Sequence, residues 1–167
     1  EYSMHRNWSN IPSLLKEQGY RTGIIGKLQV NPESAFPFDF RWNQAAFCSF
    51  THRDVRKIAD VAEGFITESA KPFFLMVNYP DAHLPWLPQE NGFPETLLTA
   101  GDVETLPFVG IDVPRLRACT ADYYNCLKRL DEGIGLLLAE LRASGKADDT
   151  LIIYIGDHGA QFPRGKV

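Results

Sequence analysis

Three short apolar runs divide the chain, and each has the length of a buried strand. They occupy residues 22–26, 73–77 and 150–155. The last two are almost continuously apolar and rich in β-branched or aromatic residues, which is typical of strands covered on both faces of a sheet. We therefore expect all three runs to form strands, with 150–155 deeply buried.

Helical patterns fill the intervals between these runs. Asn10 can cap a short helix that Gly19 ends. Residues 53–69 carry apolar side chains at helical spacing, and a longer helix extends from about residue 115 or 122 to residue 144. Strands that alternate with helices predict an α/β fold with a mostly parallel sheet and helices on both faces. The apolar positions of the two longer helices are Val55, Ile58, Ala62, Phe65, Ile66, Leu127, Leu130, Ile134, Leu138 and Leu141.

Two segments interrupt the alternation. Residues 30–50 are rich in Phe, Pro and Trp, and residues 80–114 contain many turn-forming residues without any period. Both predict long loops. Because loops of this length in a compact domain usually line a site or contact a partner, these two are expected to do one or the other.

Composition and charge narrow the class of protein. The chain has 167 residues, of which 44% are hydrophobic and 23% charged, with a formal net charge of −4. This composition suits a globular domain with one core. The negative balance argues against nucleic acid as a partner, and no apolar run approaches the roughly 20 residues that a membrane span needs. The sequence leaves the oligomeric state open.

The three cysteines do not form a recognisable framework. Cys48, Cys119 and Cys126 include no C-x-x-C pair and no histidine at zinc spacing. Neither a disulfide framework nor a structural zinc site is therefore indicated, and core or free thiols are expected.

The run at 150–155 is followed directly by Gly156, Asp157, His158 and Gly159. A carboxylate is a hard oxygen ligand, and an imidazole can bind a metal or donate a proton. A glycine after them lets the backbone turn away. Asp157 and His158 are therefore candidate metal ligands.

Polar side chains follow the other two runs as well. Lys27 comes after the first strand, and Asp81 and His83 come after the second. Because the carboxyl ends of parallel strands meet at one edge of a sheet, these side chains are expected to converge with Asp157 and His158. Cationic groups beside a metal-binding pair predict a pocket for a tetrahedral oxyanion.

Four motifs in this order resemble the sulfatase family of the alkaline phosphatase superfamily. The resemblance covers nearly the whole chain, and within the family the chain is most similar to the branch of heparan N-sulfatases (sulfamidases). The first motif is Leu-Leu-Lys-Glu-Gln-Gly-Tyr-Arg-Thr at 14–22 with Gly-Lys at 26–27, and the others are 73–85, 123–145 and 148–159. The similarity to the sulfamidase branch rests on the segments 31–33, 36–40 and 162–166.

The resemblance implies an alkaline phosphatase-like fold and a role for seven positions. Two would bind a divalent cation, which is calcium in most sulfatases, and three would hold the sulfate oxygens or the leaving-group atom as catalytic groups. Two more would bind substrate. The metal ligands are Asp157 and His158, the catalytic residues are Lys27, His83 and Lys166, and the substrate-binding residues are Gln29 and Arg164.

The chain departs from the family pattern in two ways. The family usually has a histidine at the position of Gln29, and an amide can hydrogen-bond but cannot shuttle a proton. The family also makes a formylglycine nucleophile from a Cys/Ser-x-Pro/Ala-x-Arg signature, which none of the cysteines fits. We therefore expect residues 1–167 to be part of one catalytic domain, without the nucleophile segment and without the C-terminal subdomain.

These features predict a hydrolase of sulfate esters or N-sulfo groups on a sulfated sugar, with the 167-residue segment inactive by itself. A phosphodiesterase or phosphonate hydrolase of the same superfamily is an alternative, because it shares the Asp-His-Gly turn. A non-catalytic relic that binds a sulfated glycan is another alternative, which Gln29 favours.

The family resemblance favours an extracytoplasmic location: periplasmic, secreted or lysosomal.

Overall fold

A parallel sheet with β1 at its centre organises the chain, as seen in a computed structural model that describes residue 3, residues 8–162 and residue 165. The strand order is β2-β1-β3. The strands are β1 (Arg21–Gly26), β2 (Phe40–Trp42) and β3 (Phe73–Asn78), and the α-helices of the described residues are α1 (Ile11–Glu17), α2 (Val55–Thr67) and α3 (Pro114–Ala143).

Strand β1 pairs in parallel with both of its neighbours. Gly26 lies opposite Asn78 at the end of β3, so the two strands end level with each other. Ile24 and Ile25 point to opposite faces and are 2% and 0% exposed, so both faces of β1 are covered. The prediction of an α/β fold with a parallel sheet is thus confirmed for the first two apolar runs.

Helices α2 and α3 pack together and build the main core against β1. Ile25 packs with Ile58 and Ala62 of α2, and Leu141 of α3 packs with Phe65. The helices approach closely at Gly133, where any Cβ would clash with Val55. No helix in the described part of the chain is both long enough and apolar enough to span a bilayer.

The predicted loop at 30–50 is wrong in part, because it contains β2. The side chain of Asp39 holds this strand in place: its carboxylate accepts hydrogen bonds from the Thr22 backbone N–H (3.0 Å) and from the Thr22 hydroxyl (3.1 Å). Phe40–Trp42 is thereby placed alongside β1. Residues 80–106 are irregular, and they are followed by a short 3₁₀ helix at Pro107–Val109.

The long loop is fixed to α3 by a reciprocal side-chain clamp. The Asn125 amide oxygen accepts from the Leu98 N–H (2.8 Å), and the Asn125 amide nitrogen donates to the Leu98 carbonyl (2.9 Å). Asn125 is 1% exposed, so both of its polar ends are used inside the protein. The loop is therefore part of the packed structure.

The predicted buried strand at 150–155 is wrong. Residues 151–155 are in no strand and are 56–84% exposed. The apolar run has the composition of a sheet interior, but among the described residues no strand pairs with it, and the sheet consists of β2, β1 and β3 alone. Composition specifies what a segment can bury, whereas pairing requires a neighbouring strand edge.

This exposed run gives a testable prediction about self-association. An uncharged, β-prone segment with free backbone groups is a template for pairing between chains. We expect Ile153→Lys to raise the concentration at which the chain associates by about tenfold, measured by sedimentation velocity. Ile11→Lys is the matched control, since Ile11 is 60% exposed on α1, outside the run. An equal effect of both substitutions would contradict the prediction.

Candidate functional site

The end of β1 presents Lys27 at the edge of the sheet. Gly26 has φ 92°, and a Cβ there would clash with the carbonyl oxygen of Asn78, so β1 and β3 can approach here only because this residue is glycine. The Asn78 side-chain amide then donates to the Lys27 carbonyl (2.8 Å). Lys27 is exposed, and its ammonium nitrogen lies 5.0 Å from the centre of the Phe50 ring.

His83 lies against the same ring. Its imidazole stacks on Phe50 with 3.9 Å between the ring centres and 13° between the planes. The His83 Nδ1 is 2.6 Å from the Leu84 carbonyl oxygen. Because a carbonyl only accepts, Nδ1 carries the hydrogen, which leaves Nε2 as the ring nitrogen available to a ligand. The structure thus brings together the ends of β1 and β3, as the parallel sheet implies.

Asp81 is not an exposed group at this edge of the sheet, although the sequence analysis expected it to converge there with the other polar side chains. Its carboxylate is completely buried between two arginines. Arg53 Nη1 donates to Oδ1 (2.7 Å), and Arg129 donates through Nη2 to Oδ1 (2.7 Å) and through Nε to Oδ2 (2.9 Å). All three side chains are 0% exposed. Asp81 therefore neutralises buried charge and is not a candidate ligand.

The arginines of this triad hold the loop that carries His83. Arg53 Nη2 donates to the carbonyls of Phe50 (2.8 Å), His83 (2.7 Å) and Pro85 (2.8 Å). Although burial disfavours the charged form of Arg129, its hydrogen bonds and charge attraction to Asp81 outweigh this and raise its pKa. Because arginine stays charged in proteins, two guanidinium groups around the single Asp81 carboxylate give the triad one surplus positive charge.

Sequence reasoning missed Arg53 as a functional residue. It precedes the helix cap Asp54, and its partners are distant in the chain. One weak signal exists, because a cation next to a helix N-terminus opposes the helix dipole and so calls for another explanation. The partners themselves could not be inferred without the fold.

Asp157 and His158 form an exposed pair. Asp157 Oδ2 lies 3.3 Å from His158 Nε2, and the side chains are 86% and 40% exposed. Calcium takes six to eight oxygen ligands, and this pair offers one carboxylate and one imidazole. Among the described residues, no group of three or more acidic, histidine or cysteine side chains is arranged to hold a metal ion. As they stand, these residues do not fit a calcium ion.

The turn with this pair is tethered near the His83 loop. The Leu84 N–H donates to the Gln161 side-chain oxygen (3.1 Å), and Phe162 stacks on Trp86 with 4.5 Å between ring centres. Asp157 is four residues from Gln161, so their Cα atoms are at most about 14 Å apart. No hydrogen bond or ion pair joins Asp157 or His158 to Lys27 or His83 within the described ranges.

The remaining predicted site residues are only partly described. Gln29 is exposed and makes no hydrogen bond to another described residue. Arg164 and Lys166 lie outside the described residues. Their assignments stay predictions from the sequence.

The cysteines do not supply a nucleophile at this edge. Cys48 is buried, and burial together with the Asp81 carboxylate raises the pKa of its thiol to about 11. Cys126 is also buried; burial is the main reason for its raised pKa, although both arginines contact the sulfur. Because the thiolate is the reactive form, both thiols are inert near neutral pH. All three cysteines are free, as expected.

Comparisons with known proteins agree on one family. The family model described as Sulfatase matches residues 3–166. N-sulphoglucosamine sulphohydrolase of Homo sapiens is 32% identical over 94% of this chain, and iduronate 2-sulfatase of Homo sapiens is 24% identical over 92% of it. An arylsulfatase of Clostridium perfringens is 25% identical over 55% of the chain. The matched regions span 35%, 40% and 23% of those proteins.

Proposed function

Because the chain belongs to the sulfatase family, we propose that it forms the anion-binding part of a hydrolase that removes sulfate from a sulfated sugar. The observation that carries the proposal is that Lys27 and His83 both contact the Phe50 ring. Neither side chain forms an ion pair with any described residue, so the Lys27 ammonium, and Nε2 of His83 when the ring is protonated, are available to an anion.

The two groups suit different parts of a sulfate-transfer reaction. Negative charge resides on the outer oxygens of the sulfuryl group, where the Lys27 ammonium would stabilise it. As the sulfuryl group passes to a nucleophile outside this pair of residues, its bond to the leaving oxygen or nitrogen breaks, and the leaving atom needs a proton. In its imidazolium form, His83 would donate that proton from Nε2, because its Nδ1–H is directed to the Leu84 carbonyl.

The names of two relatives support a sugar as the substrate class. One acts on N-sulphoglucosamine and another is a sulfatase of iduronate. For this chain, a sulfated sugar is the proposed substrate, and an N-sulfo group is favoured because the branch motifs at 31–33 and 36–40 resemble sulfamidases. An extracytoplasmic location belongs to the same proposal.

The proposal includes a divalent cation, calcium in the first place, whose binding site would need ligands beyond the described residues. Asp157 would give it one oxygen and His158 one nitrogen. When bound, such a cation would neutralise charge on the sulfuryl oxygens. The described residues alone do not fit it, so the roles of Lys27 and His83 are derived without it.

Sulfate binding by the 167-residue chain tests the proposal. We expect Lys27→Gln to weaken inorganic sulfate binding by about tenfold, because an ammonium donor to the anion is lost. The measurement is a titration followed by isothermal calorimetry at low salt. Lys57→Gln is the matched control, since Lys57 also lies over a phenylalanine ring, that of Phe47 at 5.9 Å, but on α2.

The results of the sulfate titrations decide between the proposed function and its alternatives. Sulfate binding that Lys27→Gln weakens and Lys57→Gln leaves unchanged supports the proposal. Equal binding by the parent chain and Lys27→Gln, or no binding by the parent chain, contradicts it. Tighter binding of inorganic phosphate than of sulfate would favour the phosphate-ester alternative.

A further inference from the structure

The Phe50 ring is the shared contact of Lys27 and His83. The imidazole stacks on it nearly parallel at 3.9 Å, and the ammonium lies 5.0 Å from its centre. The face of an aromatic ring carries partial negative charge, so it attracts a cation without neutralising it. A carboxylate in the same place would form an ion pair and compete with any incoming anion.

The position of Phe50 is set from inside the protein. Arg53 Nη2 donates to the carbonyl of Phe50 (2.8 Å) and also to that of His83 (2.7 Å). One nitrogen therefore fixes the backbones of both stacking residues, and Arg53 is itself held by Asp81. Phe50 is 38% exposed, so one part of the residue contacts its neighbours and another part faces solvent.

We propose that Phe50 is a positioning residue that holds Lys27 and His83 in place to receive a sulfuryl anion, an inference that rests on the proposed function. Both side chains project from loops, and Lys27 carries several rotatable bonds whose freedom is lost on binding. The ring restricts both side chains before the anion arrives, so less entropy is lost at that moment. Phe50 itself makes no bond to the anion.

The test compares matched variants of the 167-residue chain with inorganic sulfate as the probe. Phe50→Leu removes the ring and keeps an apolar side chain, Phe50→Tyr keeps the ring, and Phe47→Leu removes a ring that stacks on Trp42, away from His83. Chemical shifts of the Lys27 Cε–H and His83 Cε1–H groups are followed by NMR during the titration, and each thermal midpoint is recorded.

We expect Phe50→Leu to weaken sulfate binding about fivefold to tenfold while its thermal midpoint stays near that of the parent chain. Phe50→Tyr and Phe47→Leu should bind as the parent does. If Phe50→Leu binds as the parent does, this inference is overturned and the proposed function stands. If sulfate shifts neither resonance in the parent chain, both are overturned. The positioning role is also overturned if Phe50→Leu weakens sulfate binding together with a lowered thermal midpoint and Phe50→Tyr, which keeps the ring, binds sulfate just as weakly.

Discussion

Replacing Asp81 with asparagine should lower the free energy of unfolding by about 3–5 kcal/mol, enough to unfold a marginally stable domain. Asparagine keeps the size of the side chain but removes its charge. Arg53 and Arg129 would then remain buried with two positive charges and no counter-charge. The cost arises because neither guanidinium can recover its hydration inside the protein.

Urea unfolding followed by circular dichroism measures this effect. Asp112→Asn is the matched control, since Asp112 pairs with Arg117 at the surface, where the side chains are 43% and 37% exposed. Exposed pairs contribute little to stability, so this variant should unfold close to the parent chain. Similar losses for Asp81→Asn and Asp112→Asn would show that the triad does not carry the buried charge described here.

Gly26→Ala should destabilise the chain by about 2–4 kcal/mol and weaken sulfate binding by about tenfold, as removal of the Lys27 ammonium does. Gly26 has φ 92°, a conformation that costs an alanine free energy, and the new methyl group would press on the Asn78 carbonyl. Relief of that clash requires the ends of β1 and β3 to separate. Lys27 follows directly, so its ammonium would move away from Phe50.

Thermal unfolding and sulfate titration together test this prediction. Gly135→Ala is the control, because Gly135 lies exposed in α3 and a Cβ there meets no atom within 4 Å. An alanine in a helix is favoured over glycine by about 0.5–1 kcal/mol, so the control should be stabilised. If Gly26→Ala is stabilised in the same way, the close approach of the two strands is not a constraint.

The sequence predicted the helices and strands correctly wherever the local residue pattern agrees with the fold. The predicted strands at 22–26 and 73–77 differ by one residue each from Arg21–Gly26 and Phe73–Asn78. The long helix was found because its apolar stripe and its end at Gly145 are local signals. The error at 150–155 has another cause: the composition of a run shows what it could bury in a sheet, whereas burial depends on a partner strand.

The sequence predicted at which edge of the sheet the site lies, but it did not predict which side chains contact each other there. Lys27 and His83 could be proposed together because parallel strands end on one side. Phe50 and Arg53 could not, since they come from a predicted loop and a helix start, and their partners lie about 30 residues away. Asp81 was misinterpreted for the same reason: a polar residue after a strand resembles a ligand until its buried partners are known.

The surplus positive charge of the arginine triad also shapes how this edge responds to ionic strength. Arg53 donates directly to the His83 carbonyl, so a fixed cation lies behind the loop in a region that counter-ions do not enter. Dissolved salt weakens the pull of an exposed group such as Lys27 far more than that of a charge enclosed by protein. Anion attraction at this edge should therefore persist in part in concentrated electrolyte.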